Sequence, residues 1–289
     1  MIKLTKDKKY EMLISEKGAE VKSFKVNKRF EFDVEYIWNG DKNYWGRSTP
    51  VLFPIVGKLK DNKYMINNEF YILPQHGLLR DREFKVTKQI NNLITLEDTF
   101  DLDTLKIYPF KYKVEITHEI VNNGFITIFK VINIDEKPIY FNIGGHPGFM
   151  IDLPLSDYRI DFEKEESFIS PKIVSGLLDF SEGVKYEKII QLKLNHTMFN
   201  VDTIVIPKIN SSYVCLTNDT HNIKFSFKNF KSLALWTLPS KEAPYLCLEP
   251  WNGYASKISD DYDFFKKDDL IKIDAYNEFF ICSYKMEIL

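Results

Sequence analysis

The sequence predicts an all-β fold, a large antiparallel β-sandwich with few and short helices. Three observations predict it. Apolar and polar residues alternate with a period of two along several stretches. Short turn pairs rich in Asn and Gly separate those stretches. Aromatic residues make up 15% of the chain, which suits strands packed face to face.

In chain order, "KYMINNEFYIL" (63–73) reads as a hairpin turning at Asn67-Asn68. In "YKVEITHEI" (112–120), Tyr112, Val114, Ile116 and Ile120 share one face, and Lys113, Glu115, Thr117 and Glu119 take the other. Asn123-Gly124 then gives a type I′ hairpin signal, and "ITIFKVIN" (126–133) returns as the next strand. "LSDYRIDF" (155–162) and "DDYDFFKKDDL" (260–270) are the places for short helical turns. "NIKFSFK" (222–228) alternates again. "PYLCL" (244–248) is apolar enough for a buried strand, and "EFFICSYKMEIL" (278–289) closes the chain.

With 289 residues and 44% hydrophobic content, the chain can bury a large core. No repeat or Pro/Ser-rich linker divides it, so residues 1–289 are expected to form one domain. The formal net charge of −2 and the lack of a basic stripe give no reason to expect nucleic acid as a partner. Cys215, Cys247 and Cys282 are widely spaced and odd in number, which reads as reduced thiols. The charged N-terminus has no signal-peptide pattern, and no run of about 18 apolar residues suggests a membrane span. The expected location is the cytoplasm.

Five histidines bear on chemistry. His118 is in phase with the apolar face of its strand and reads as a core residue. His196 and His221 sit in polar, turn-like stretches and read as solvated. His76, in "LPQHGLLRD", and His146, in "GGHPGF", stand beside glycines at strand-to-loop transitions, where function concentrates. In "APYLCLEPWNG" (243–253), Glu249 comes just past a buried strand. A carboxylate there is costly unless it is paired or useful, and partial desolvation raises it towards a general base. Trp251 is either a core aromatic or a stacking surface for a sugar ring. His76, His146 and Glu249 lack the close spacing of a metal motif, so no metal is assigned. No G-x-S-x-G elbow is present, and Glu249 has no partner carboxylate of the glycosidase kind. A histidine acid with a glutamate base and no cofactor is the economical reading.

Six segments then carry a resemblance. "VLFPIVGKLKDNKY", "LPQHGLLRDREF", "YPF", "FNIGGHPGF", "DTIVI" and "APYLCLEPWNG" occur in the order seen in the aldose 1-epimerase (galactose mutarotase-like) family, and look most like its LacX-type branch. The resemblance covers nearly the whole chain, up to about residue 253. It implies a supersandwich with an open cleft on one sheet. It implies Glu249 as the base for the anomeric hydroxyl, His146 as the acid for the ring oxygen, and His76 as the second histidine near C1. His146 and Glu249 are expected to face each other across a cleft about one sugar ring wide. The family's sugar-binding arginine has no clear counterpart in "VGKLKD", where Lys58 stands. Arg47 and Arg80 are the nearby candidates, and Asp202 is the match for the family's hydroxyl-gripping aspartate. A related branch acts on hexose 6-phosphates through arginines. Arg47, Arg80, Arg82 and Lys58 are either such a site or solvated charges. The implied partner is a small-molecule sugar, with monomer and homodimer both open.

Overall fold

The computed structural model describes residues 1–27, 33–152, 154–220, 222–239 and 241–289. His221 lies outside the described residues. Among them, nine strands form one antiparallel sheet, in the order Leu177–Lys193, Arg159–Val174, Tyr213–Thr217, Ile223–Lys228, Phe279–Ile288, Gly124–Asn133, Tyr112–Val121, Leu93–Thr99 and Lys85–Ile90. The alternation in 112–120 is the reason this sheet has two characters. Tyr112, Val114, Ile116, His118 and Ile120 are all buried. The opposite face carries ion pairs such as Lys130–Glu115 at 3.4 Å.

Facing the apolar side is a smaller sheet of Ile204–Ile206, Ser232–Trp236, Tyr245–Asn252, Ile143–Gly145 and Val51–Leu52, with Gly148–Met150 also paired to Tyr245–Asn252. An N-terminal sheet of Ile2–Lys6, Tyr10–Ile14, Val21–Val26 and Val34–Glu35 completes the cover, with Phe24 packed 5.0 Å from Phe125. The main core lies between these layers, where Phe149 meets Phe225 at 5.4 Å.

The hairpin at 63–73 turns at Asn67 and Asn68, both with positive φ as a type I′ turn requires. The second hairpin differs by one residue from its sequence signal. Its turn is Asn122–Asn123, and Gly124 is already in the strand, paired with Val121. Gly124 serves close packing instead: a Cβ there would come 1.8 Å from the Met286 carbonyl oxygen. The short turns are 3-10 segments at Leu155–Asp157 and Phe264–Lys266. One α-helix, Leu102–Ile107, has no counterpart in the sequence reading; a reciprocal capping box between Asp101 and Thr104 starts it.

His118 is a core residue, its ring nitrogens 3.0 Å from Thr127 Oγ1 and 2.9 Å from the Ala19 carbonyl oxygen. His196 is half-buried and bonded to the Lys241 carbonyl at 2.8 Å, less solvated than its polar surroundings suggest. The three cysteines are free. No helix among the described residues is long and apolar enough to cross a membrane.

Candidate active site

Strand Tyr245–Asn252 is buried along its whole length, so Glu249 lies within it and not past its end, as the sequence suggests. Alternation sends Leu246 and Leu248 into the main core and Cys247, Glu249 and Trp251 to the other face. On that face a cleft of about 360 Å³ is lined by His76, His146, Glu249, Asp202, Arg47, Arg80 and Trp251, among others. Its volume is at the lower end of the roughly 300–1,000 Å³ common for small-molecule sites. A second, 220 Å³ hollow near Asp260 and Phe264 is lined by no histidine among the described residues; its Lys266 pairs with Asp261 at 2.7 Å, and its buried Lys267 ammonium donates to the Tyr254 carbonyl.

The glycines before His146 act through close approach, not unusual φ. A Cβ on Gly144 would meet Trp251 Cδ1 at 2.6 Å, and one on Gly145 would meet Tyr284 Cε1 at 2.9 Å. The strand Ile143–Gly145 therefore lies close against its neighbours, and the His146 N–H bonds the Pro50 carbonyl at 3.1 Å. The imidazole stacks on Trp45 (centroids 4.8 Å apart) and meets Trp236 edge-on at 5.7 Å. Its Nε2 is 3.1 Å from Glu249 Oε2. The expected gap of one sugar ring is therefore absent: the two groups touch.

Burial decides the charge of this pair. It holds the Glu249 carboxyl well above the usual carboxylate range, with the Asp202 charge adding to the effect. It pulls His146 down to about 3, assisted by the Arg80 and Arg47 charges. Both shifts favour a carboxylic acid beside a neutral imidazole over the charged pair.

His76 stands 5.7 Å from the His146 ring, at a left-handed φ of 66°. The Gly57 N–H donates to its Nδ1 at 3.2 Å. Burial first, then the charges of His146, Arg80 and Arg47, keep it neutral. A neutral ring accepting at Nδ1 carries its proton on Nε2, so His76 is a hydrogen-bond donor. The Gln75 amide nitrogen is placed 3.3 Å from that Nε2; since two donors cannot bond each other, the amide is turned so that its oxygen accepts there.

The remaining expectations divide. Arg47 lines the cleft, but its guanidinium bonds the Arg80 carbonyl at 3.0 Å and Asp81 at 2.8 Å. Arg80 lines the cleft with a buried Nε that has no hydrogen-bond partner among the described residues, its Asp81 ion pair being 3.8 Å long. Asp202 is at the wall, accepting from Thr203 at 3.0 Å. Trp251 is 5% exposed in a small apolar cluster, in line with its core reading, and it also lines the cleft. Lys58 is not at the cleft surface. Its ammonium donates to the Ser175 carbonyl at 3.0 Å and so ties down the hairpin turn whose Gly176 does line the cleft. Arg82 is spent on Asp98 and Asp101, at 2.8 and 2.9 Å. Trp45, Trp236 and Gln75 were not singled out in the sequence; only the position of Gln75 next to His76 offered a signal.

Eight buried side-chain polar atoms among the described residues lack hydrogen-bond partners, and four belong to cleft residues: Glu249 Oε2, His146 Nδ1, Arg80 Nε and Trp251 Nε1. Each such atom costs about 1–3 kcal/mol. Their concentration here is what a polar ligand would relieve.

The model of the aldose 1-epimerase family matches residues 1–271. The chain belongs to the aldose 1-epimerase family. LacX of Lactococcus lactis subsp. lactis, in its plasmid and chromosomal forms, is 28% identical over 242 residues, covering 78% of this chain and 81% of LacX. A galactose mutarotase related enzyme from Lactobacillus acidophilus superimposes with a TM-score of 0.93 at 26% identity, covering 100% of this chain and 97% of that one. A galactose mutarotase-like protein from Lactobacillus casei gives 0.90 at 27% identity, with both chains covered in full. The β-sandwich is thus that of the galactose mutarotase-like members of the aldose 1-epimerase family, and the resemblance to their LacX-like branch holds.

Proposed function

We propose that the protein is an aldose 1-epimerase that interconverts the α and β anomers of a hexose by acid–base ring opening, without a cofactor. The observation that carries this reading is the His146–Glu249 pair, an acid and a base held with Nε2 and Oε2 3.1 Å apart at the cleft wall. Direct contact suits the reaction better than a wide gap does. The hydroxyl that loses a proton and the ring oxygen that gains one are bonded to the same carbon, C1, so their acid and base must be neighbours.

Glu249, as carboxylate, takes the proton from the C1 hydroxyl. The freed electron pair forms the C1 carbonyl, the bond from C1 to the ring oxygen breaks, and that oxygen takes a proton from the His146 imidazolium. Rotation about C1–C2 and reclosure give the other anomer. Carboxylate plus imidazolium has the same proton count as the acid–imidazole pair that burial favours; one transfer from Oε2 to Nε2 converts them. Sugar hydroxyls and the His76 Nε2–H provide the hydrogen bonds that the charged form needs. Trp45 and Trp236 offer flat apolar surface to the C–H face of the ring.

Polarimetry on freshly dissolved single anomers tests this. Acceleration that disappears in His146→Asn is expected, and no rate above background across a panel of hexoses and hexose 6-phosphates would sink the proposal. Tight sugar binding without turnover would instead favour a carbohydrate-binding protein.

The Arg80 Nε, without a hydrogen bond among the described residues and with Asp81 no nearer than 3.8 Å, stands beside Arg47 and favours one narrower reading, a hexose 6-phosphate as substrate. It predicts a higher kcat/KM for the phosphorylated sugar, with that preference removed in Arg80→Gln. Equal kcat/KM for the two sugars counts against it.

A further inference from the structure

We infer that His146, Cys247 and Glu249 form a binding site for one borderline-soft divalent cation of the Zn²⁺ kind, and that an ion held there blocks the acid–base pair. The blocking rests on the epimerase reading; the binding does not.

Cys247 and Glu249 are alternate residues of one strand, so they leave it on the same face. His146 joins them from between two short strands, Ile143–Gly145 and Gly148–Met150, that both pair with that strand. One donor atom from each residue lies within 4.8 Å of the other two, and all three residues are buried. The nitrogen–oxygen edge of this triangle is 3.1 Å. With metal bonds of about 2.0–2.1 Å, such an edge subtends roughly 100° at the ion, close to tetrahedral. A tetrahedral edge from sulfur to nitrogen or oxygen is roughly 3.5 Å, so the longest edge closes by about one ångström on binding.

Independent of the spacing, Glu249 Oε2 is a buried polar atom with no hydrogen-bond partner among the described residues, on a side chain that is over nine-tenths buried. The donor set is one sulfur, one nitrogen and one oxygen, which suits Zn²⁺ or Co²⁺ and not Mg²⁺ or Ca²⁺. Charge also balances. Thiolate and carboxylate together cancel the 2+ of the ion, so no net charge is buried. Binding takes Cys247 as thiolate and so releases the thiol proton. The cleft gives the ion its way in through His146 and Glu249 and leaves a fourth position for water.

The experiment titrates metal-free protein with Co²⁺ and then competes with Zn²⁺. One ion per chain is expected, with a thiolate-to-cobalt charge-transfer band in the near ultraviolet that Zn²⁺ removes. The parent protein should release protons as the ion binds in weak buffer. That arm needs no variant, so it stands even if Cys247→Ser folds poorly. A folded Cys247→Ser that keeps the band would assign it to Cys215 or Cys282 and overturn the site, as would an absence of binding. Zn²⁺ should cut mutarotation at least tenfold, reversibly on chelation. Unchanged turnover with the ion bound overturns the blocking alone. A metal-free protein without mutarotation removes the epimerase reading and the blocking together, while the cobalt titration still decides the site.

Discussion

Glu249→Gln separates what the carboxyl does for the fold from what it does for the reaction. The side chain is 1% exposed, with Oε2 3.1 Å from His146 Nε2. Burial raises its carboxyl well above the usual carboxylate range and so favours the protonated form. The amide is therefore close in both shape and charge, and stability should change by less than about 1 kcal/mol, a few degrees in Tm at most. The reaction should respond very differently, because an amide neither takes nor returns the proton. Asp202, the other carboxylate at the cleft wall, is on a different segment and replaces it poorly. Loss of a general base costs about 10²–10⁴-fold, or about 3–5 kcal/mol of transition-state stabilisation. The assay pairs thermal unfolding with polarimetry of a freshly dissolved single anomer. A folded variant within tenfold of the parent rate would refute Glu249 as the base. A Tm lowered by more than ten degrees or so would refute the neutral buried acid.

Three further outcomes follow from the same geometry. The acid limb of kcat/KM should lie towards pH 3, since His146 is pulled down to about 3, and a limb near the ordinary imidazole value of about 6.5 would contradict its environment. His118 has its folded-state value lowered to about 4 by burial, so the unfolded chain binds its proton first; stability is full above about pH 6.5 and falls by up to about 3 kcal/mol as pH drops to about 4. Denaturant melts across that window should show this step in the parent and not in His118→Asn; the same step in both would assign it elsewhere. Lys58→Met frees the turn at Ser175 and Gly176, so KM should rise about 3–10-fold with kcat within about twofold, together with faster amide exchange at 173–178. A fall in kcat at constant KM would speak against a tether.

The strands were legible wherever one face is wet. In 112–120 alternation is written into every residue, because one face meets the core and the other meets water. It was less legible in Tyr245–Asn252, where both faces are covered and polarity no longer alternates, so Glu249 looked like a terminus. His76, His146 and Glu249 were visible as individuals because glycine, proline or an apolar run frames each one. Their contact was not, since it depends on how the strands pair. The charges were least legible. Lys58, Arg47, Arg80 and Arg82 look alike along the chain, yet one ties down a turn, one braces a loop, one faces the cleft with an Nε that makes no hydrogen bond and one is consumed by Asp98 and Asp101. Only tertiary geometry distinguishes them. The same holds for Trp45 and Trp236, which no local pattern marks.

The acid–base pair comes from two adjoining segments of the inner sheet, whereas Trp45, Arg47, Gln75, Arg80, Asp202 and Gly176 reach the cleft from segments outside the strands. The two parts answer to different constraints. Strand Tyr245–Asn252 is caught between neighbours on both edges and cover on both faces, so drift there is punished by misfolding before it alters chemistry. The outer segments tolerate exchange, insertion and a new charge at little expense to the fold. Descendants of this architecture can therefore change diet while keeping their teeth: a new sugar is reached by rewriting the rim, with the proton-transfer pair inherited intact.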